Sequence, residues 1–205
     1  MKTVAIIDYG MSNLDSVVRA VSELGRKQVV TDKYTEIENA DSIILPGVGT
    51  FHEGMANLHK LELVEPLTDL VLKQGMPCLG ICLGMQLLAT CGLEFGESKG
   101  LDWIKGTVTP LKATKKDERI PHVGWNEVRY RNPWPFFEGV PQNNDFYFVH
   151  SFHFVVDNEI DIIATTPYCG EFASVIGRGN IFGVQFHPEK SQKIGFKILE
   201  NYLSL

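Results

Sequence analysis

The sequence predicts an α/β chain built on a doubly wound, mostly parallel sheet, with antiparallel hairpins added in its second half. Over the first hundred residues, short apolar runs alternate with segments of helical period, the signature of a parallel sheet covered by helices. From about Val108 the texture changes to short β-prone pieces separated by turn residues, which is how antiparallel pairing reads. Hydrophobic residues make up 44% and charged residues 21% of 205 positions, ordinary globular usage that supports a substantial core in one domain spanning 1–205.

Residues 4–8 (VAIID) form a continuous apolar run ending in turn residues, the first strand. Ser12 caps a helix whose apolar positions are Val17, Val18, Val21 and Leu24 and whose stop is Gly25. Residues 28–30 and 42–45 give two more strands, 63–74 a helix, and 76–81 a buried strand entered through Pro77. Residues 83–91 suit a helix, with Met85, Leu87 and Leu88 apolar. In the second half, strands are expected at 127–130, 145–150, 154–156, 162–165, 172–176 and 181–186, with Arg178, Gly179 and Asn180 turning one hairpin. The last helix is expected at 192–202, and KATKKDER (112–119) reads as a solvated loop.

A net charge of −6 argues against a nucleic-acid partner held through phosphates, and no stretch is long and apolar enough to span a bilayer. The opening MKTVAIIDYG has one lysine and an apolar run too short for a signal peptide, and the four cysteines lack regular spacing. The expectation is a cytoplasmic protein with reduced thiols and no cofactor. Cys78 and Cys82 have no second Cys/His pair to complete a zinc site, so no metal is expected.

The stretch LGICLGMQLLA (79–89) carries the chemistry. A cysteine in an apolar run is ordinarily a small core residue. Here Gly80 and Gly84 stand two positions away on either side, between an expected strand and an expected helix. A sharp strand-to-helix turn flanked by glycines exposes a nucleophile above the sheet and sets it at a helix N-terminus, where thiolate is favoured.

A cysteine nucleophile needs a base, and the base needs an orienting acceptor. FGVQFHPEKS (182–191) supplies both: His187 follows an apolar strand, and Glu189 lies two positions on, a spacing that lets both side chains point the same way along extended backbone. Taken alone, this segment also reads as a histidine in an ordinary turn beside a solvated glutamate. Acyl chemistry also needs donors for an oxyanion. The Leu83 N–H, just after the nucleophile, is one source, and PGVG (46–49), where glycines let main chain approach a substrate, is another.

With PGVG, GICLGMQ and HPE in this order, the chain resembles the class I, or triad-type, glutamine amidotransferases, a resemblance spanning nearly its whole length. It implies a flavodoxin-like doubly wound fold and hydrolysis of L-glutamine through a thioester, with ammonia passed to a synthase site. By the same resemblance Cys82 is the nucleophile, His187 the general acid/base and Glu189 its orienter. Val48 and Leu83 are the oxyanion donors, the Val48 N–H being turned into place by rotation of the Gly47–Val48 peptide in the liganded complex. Gly49, Gln86 and Glu94 contact the glutamine, and His150, Ser151 and Phe152 help hold its carboxylate through main-chain groups.

DYGMSNL, PHVGWN, YFVHSF and HPEKS further resemble the glutaminase subunits of imidazole glycerol phosphate synthases, whose partner is a (β/α)₈ cyclase subunit. That likeness puts Asn13, Pro121, Trp125, Asn126, Tyr147 and Lys190 near a subunit interface. Intracellular cysteine peptidases on similar sheets place a histidine directly after the cysteine, where this chain has Leu83. Anthranilate and aminodeoxychorismate synthase glutaminases carry a different segment at PHVGWN. A non-catalytic scaffold would not require Cys82, His187 and Glu189 together.

Overall fold

The structure is a computed structural model that describes residues 2–11, 14–131 and 134–205. The first winding comprises β1 (Thr3–Ile7), α1 (Leu14–Glu23), β2 (Lys27–Thr31), the single turn α2 (Tyr34–Ile37) and β3 (Ser42–Gly47). The second comprises α3 (Phe51–Lys60), α4 (Val64–Thr68) with a π-helical continuation over Asp69–Lys73, β4 (Cys78–Cys82) and α5 (Leu83–Leu87). There follow β5 (Cys91–Gly92), β6 (Ser98–Lys99), β7 (Gly106–Pro110), β8 (His122–Tyr130), β9 (Asn144–His150) and β10 (Phe152–Val156). The chain closes with β11 (Ile162–Thr166), β12 (Phe172–Arg178), β13 (Ile181–Val184) and α6 (Gln192–Tyr202).

Strands β2-β1-β3-β4-β13 run parallel. This is the flavodoxin-like order in which the fifth parallel strand comes from the far end of the chain. Beyond β13 the same sheet continues through β12, β11, β8 and β9, each antiparallel to its neighbour. A second sheet has the order β10-β7-β5-β6.

Alternation along the strands divides the core between the two faces. Ala5, Ile7, Ile43 and Leu45 join one buried cluster, while Val4, Ile6, Ile44, Leu79 and Ile81 join the other. Burial on both faces is why these strands read as unbroken apolar runs rather than alternating ones. The carboxyl ends of β3, β4 and β13 lie side by side, so Val48, Leu83 and the segment leading to His187 emerge at one edge.

Several elements depart from the expectations. Helix α3 has no counterpart among them, yet Phe51, Met55 and Leu58 line its buried face and Thr50 caps it, its Oγ1 accepting from the Glu53 N–H at 3.3 Å and donating to Glu53 Oε2 at 2.7 Å. The two-residue strands β5 and β6 are too short to carry a period. Helix α5 stops at Leu87 instead of reaching Cys91, which lies in β5. Strand β8 begins at His122, five residues before the expected start, and so takes in the PHVGWN segment after its proline. The β12–β13 hairpin does turn at Gly179 and Asn180, with Arg178 opposite Ile181 and Gly179 at φ 59°.

Helix α5 packs closely on β3, where a Cβ on Gly84 would lie 1.8 Å from the Leu45 carbonyl oxygen. Gly84→Ala is expected to destabilise the protein by at least about 3 kcal/mol in urea unfolding, since both clashing groups are backbone and cannot step aside. Gly25→Ala, in open space at φ 68°, should cost only about 1 kcal/mol.

Candidate active site

Cys82 is the last residue of β4 and the N-cap of α5, with φ 54° and ψ −108°. A side-chain-bearing residue holds such a conformation only when its surroundings enforce it. They do: a Cβ on Gly80 would meet the Gly84 carbonyl oxygen at 2.6 Å, and Gly84 itself lies against Leu45. The two glycines are therefore what lets helix and strand approach closely enough to force the turn at Cys82. Its Sγ lies 3.9 Å from the Val149 carbonyl and 3.6 Å from Gln185 Nε2, which donates to it.

His187 Nδ1 donates to Glu189 Oε1 at 2.7 Å, with both side chains buried. The pairing is not made along extended backbone, as the spacing suggested. His187 is the extended N-cap of a 3₁₀ turn over Pro188–Lys190, and the turn carries Glu189 back onto the ring. Main-chain bonds hold this turn to β9: His187 N–H donates to the Tyr147 carbonyl at 2.9 Å. Ser191 Oγ donates to the His187 carbonyl at 2.6 Å and accepts from the Tyr147 N–H at 3.0 Å. Burial alone would lower the pKa of His187, but attraction to the Cys82 sulfur and to the Glu189 carboxylate outweighs it, and the pKa is raised. Nε2 is buried with no hydrogen bond among the described residues.

Above Cys82 opens a cleft of about 320 Å³. Val48, Gly49, Leu83, Gln86, Glu94, Ser151 and Phe152, expected around an oxyanion or a glutamine, all line it. Its polar groups are already engaged in places. Gln86 Nε2 donates to the Phe152 carbonyl and to Gln185 Oε1, both at 3.0 Å, and Glu94 Oε2 accepts the Phe51 N–H at the start of α3 at 2.8 Å. The Val48 N–H donates to the Met11 carbonyl at 2.6 Å and is therefore committed to the loop after β1.

Behind Phe152 lies a chain of neutral histidines. His150 Nδ1 must donate to the Phe152 carbonyl at 2.8 Å, which leaves its Nε2 to accept from His122 Nδ1 at 3.0 Å. His122 Nε2 then accepts from Asn126 Nδ2 at 3.3 Å. Burial pushes the pKa down to about 4 for His122 and about 3 for His150, so both rings are uncharged near neutrality.

Of the residues expected near a subunit interface, Pro121 lines the cleft, and Trp125 faces Tyr147 across β8 and β9 with ring centroids 6.1 Å apart. Trp125 keeps 47% of its surface exposed. Asn126 ends the histidine chain, and Lys190 follows Glu189 in its turn. Asn13 lies outside the described residues. Cys78 and Cys82 occupy opposite ends of β4, about 13 Å apart at strand spacing, which is too far to share one ion.

A strained cysteine, a buried imidazole held by a carboxylate, and main-chain donors at the edge of a cleft can together perform acyl transfer. The sequence profile of the glutamine amidotransferase class-I family matches residues 5–203. The chain belongs to that family. It is 49% identical over 202 residues to imidazole glycerol phosphate synthase subunit HisH of Moorella thermoacetica, covering 98% of this chain and 94% of the relative. It is 45% identical to the subunit of that name from Zymomonas mobilis, covering 98% of this chain and 95% of the relative. The solved structure of PurLQS from Thermotoga maritima superposes with a TM-score of 0.75 at 19% identity, covering 100% of this chain and 99% of that one, a likeness of fold.

Sequence reasoning about this glutamine amidotransferase passed over three residues at the site. Gln185 is a fully buried amide between Cys82 and Gln86, and a lone polar residue inside the apolar run FGVQF was its signal. Ser191 clamps the His187 turn to β9, and nothing in its sequence context announces that. Tyr9 is buried with its hydroxyl against Gly47.

Ser191→Ala removes the hydroxyl's bonds to the His187 carbonyl and the Tyr147 N–H, leaving only the His187 N–H bond to hold the turn to Tyr147. Unfolding free energy is expected to fall by about 1–3 kcal/mol. Glutamine hydrolysis should lose roughly tenfold or more in kcat with little change in KM, because the imidazole loses its position while the cleft is untouched. Steady-state kinetics beside a denaturant titration checks both.

Proposed function

We propose that this chain is the glutaminase subunit of an imidazole glycerol phosphate synthase, a single domain that acts in the cytoplasm with a (β/α)₈ cyclase subunit as partner. The observation that carries the reading is the Cys82 elbow beside the His187–Glu189 pair at the foot of a cleft, in a chain 39–49% identical to subunits of that name over nearly its whole length.

The Cys82 sulfur attacks the side-chain carboxamide carbon of L-glutamine. His187 delivers a proton to the departing nitrogen, so ammonia leaves and a thioester remains. A water molecule, deprotonated by His187, then attacks the thioester carbon; glutamate departs and the thiol is restored. Glu189 fixes the imidazole tautomer through Nδ1 and stabilises the imidazolium. The Leu83 N–H and, once released from Met11, the Val48 N–H receive the oxyanion. Gly49, Gln86, Glu94, Ser151 and Phe152 surround the amino-acid end of the substrate. The ammonia passes to the cyclase, which uses it to form imidazole glycerol phosphate and AICAR. Docking of that subunit falls to the β8–β9 segment carrying Trp125, Asn126 and Tyr147 together with Lys190, with Pro121 at the mouth of the cleft.

Cys82→Ala should abolish glutamate release while the assembled complex still forms cyclase product from ammonium salt, because the thiol serves only to free the nitrogen. Loss of ammonia-dependent product with assembly intact contradicts this division of labour. A second comparison addresses Val48. Adding the cyclase and its nucleotide substrate should raise glutamine hydrolysis by roughly 10²–10³, the worth of one oxyanion donor, while alkylation of Cys82 by iodoacetamide rises far less. Equal proportional increases would place the switch at the thiol instead of at Val48.

A further inference from the structure

Tyr9 stands two residues past the end of β1 and is 1% exposed, yet its hydroxyl has no hydrogen-bond partner among the described residues. A buried hydroxyl without a partner carries a desolvation penalty that is rarely tolerated without a use. Its location gives the use. A Cβ built on Gly47 would fall 2.2 Å from the Tyr9 oxygen, so the hydroxyl fills the space that a side chain at position 47 would take. Asn57 Nδ2 pins the tyrosine main chain by donating to its carbonyl at 3.0 Å. Two residues on, Met11 supplies the carbonyl that holds the Val48 N–H at 2.6 Å.

The peptide unit is planar, so its N–H and C=O turn together. When the Gly47–Val48 peptide rotates to point the Val48 N–H into the cleft, the Gly47 carbonyl must turn the opposite way about the Gly47 Cα, the atom beside which the Tyr9 hydroxyl lies. We propose that Tyr9 is a positioning residue of the oxyanion switch: its hydroxyl, idle in the resting arrangement, donates to the Gly47 carbonyl in the turned one and holds the Val48 N–H over the cleft. This rests on the reading of Val48 as an oxyanion donor. Burial, and secondarily the charge on Cys82, holds the Tyr9 pKa well above its ordinary value, so the group remains a donor throughout the working range. Glycine at 47 is required twice, to permit the rotation and to leave room for the hydroxyl.

The test is Tyr9→Phe, measured in the assembled complex with the cyclase and its nucleotide substrate and, for melting, in the isolated subunit. Removing a hydroxyl unpartnered at rest should raise Tm by roughly 2–4 °C. Removing the bond that holds the turned state should lower activated kcat by roughly threefold to tenfold, with KM for glutamine unchanged. A merely structural tyrosine does not move these two readouts in opposite directions. A second arm places 3-fluorotyrosine at position 9, which keeps the ring and strengthens the donor; activated kcat should equal or exceed that of the unmodified protein. Wild-type activated kcat in Tyr9→Phe, a lowered Tm, or a loss of activation with 3-fluorotyrosine overturns the proposal. The comparison of alkylation with hydrolysis in the unsubstituted complex tests Val48 separately, so failure of the Tyr9 assignment and failure of the oxyanion reading give different results.

Discussion

The structure depends on one close approach of backbone to backbone. Helix α5 lies so near β3 that the Gly84 Cα stands over the Leu45 carbonyl with no room for a methyl group, and Gly80 is closed in the same way by Gly84. That contact fixes where α5 begins relative to the end of β4, and the chain can join the two only by passing through the conformation of Cys82. Its cost, of order 1–3 kcal/mol, is offset by the surrounding apolar packing, in which Leu79, Ile81, Leu83 and Met85 are all buried. The nucleophile is thus presented by the rigid part of the fold, and loops need only bring other groups to it.

His187 is held differently. Strand β13 delivers the chain to the same edge as β4, but the ring is set by a 3₁₀ turn whose bonds run to Tyr147 on β9. Across β9, Tyr147 faces Trp125 of β8, whose indole is half exposed. The same strand pair carries the chain from Asn126 through His122 and His150 to the Phe152 carbonyl, and Gln86 and Gln185 extend it to the Cys82 sulfur. With both rings neutral, each proton in that series has only one arrangement. Strands β8 and β9 therefore border both the base and the far wall of the cleft, and a load on their exposed face bears on both.

The sequence made the parallel half legible because each strand there is buried on both faces and bounded by turn residues, and the flanked cysteine was legible because glycine in an apolar run has few other uses. Helix α3 escaped although its Thr50 cap and the Phe51, Met55, Leu58 period were present, since glycine, histidine and asparagine dilute the apolar signal across FHEGMANLHK. The short strands of the second sheet could not be read, because two residues define no period and their pairing is settled by contacts distant in the chain. At the site, residue types were legible and hydrogen-bond partners were not. The spacing of His187 and Glu189 was enough to pair them, but the turn that pairs them depends on Ser191 meeting a strand more than forty residues away.

The resting bond of Val48 to Met11 also bears on how sharply the site can switch. A net backbone hydrogen bond contributes about 0.5–1.5 kcal/mol, which alone holds back the turned state by only about tenfold. If turning also orphaned the Gly47 carbonyl, a further 1–3 kcal/mol would be added, and a partner would have to supply all of it through interactions made only in the turned state. A hydroxyl waiting beside Gly47 changes that balance, because one hydrogen bond is exchanged for another and the orphaning penalty drops out, leaving a partner less to supply than the roughly 1–3 kcal/mol that coupling between distant sites ordinarily provides. The unpartnered oxygen at rest and the ease of the switch are then the same fact: the penalty borne by Tyr9 in the resting arrangement is released when the peptide turns.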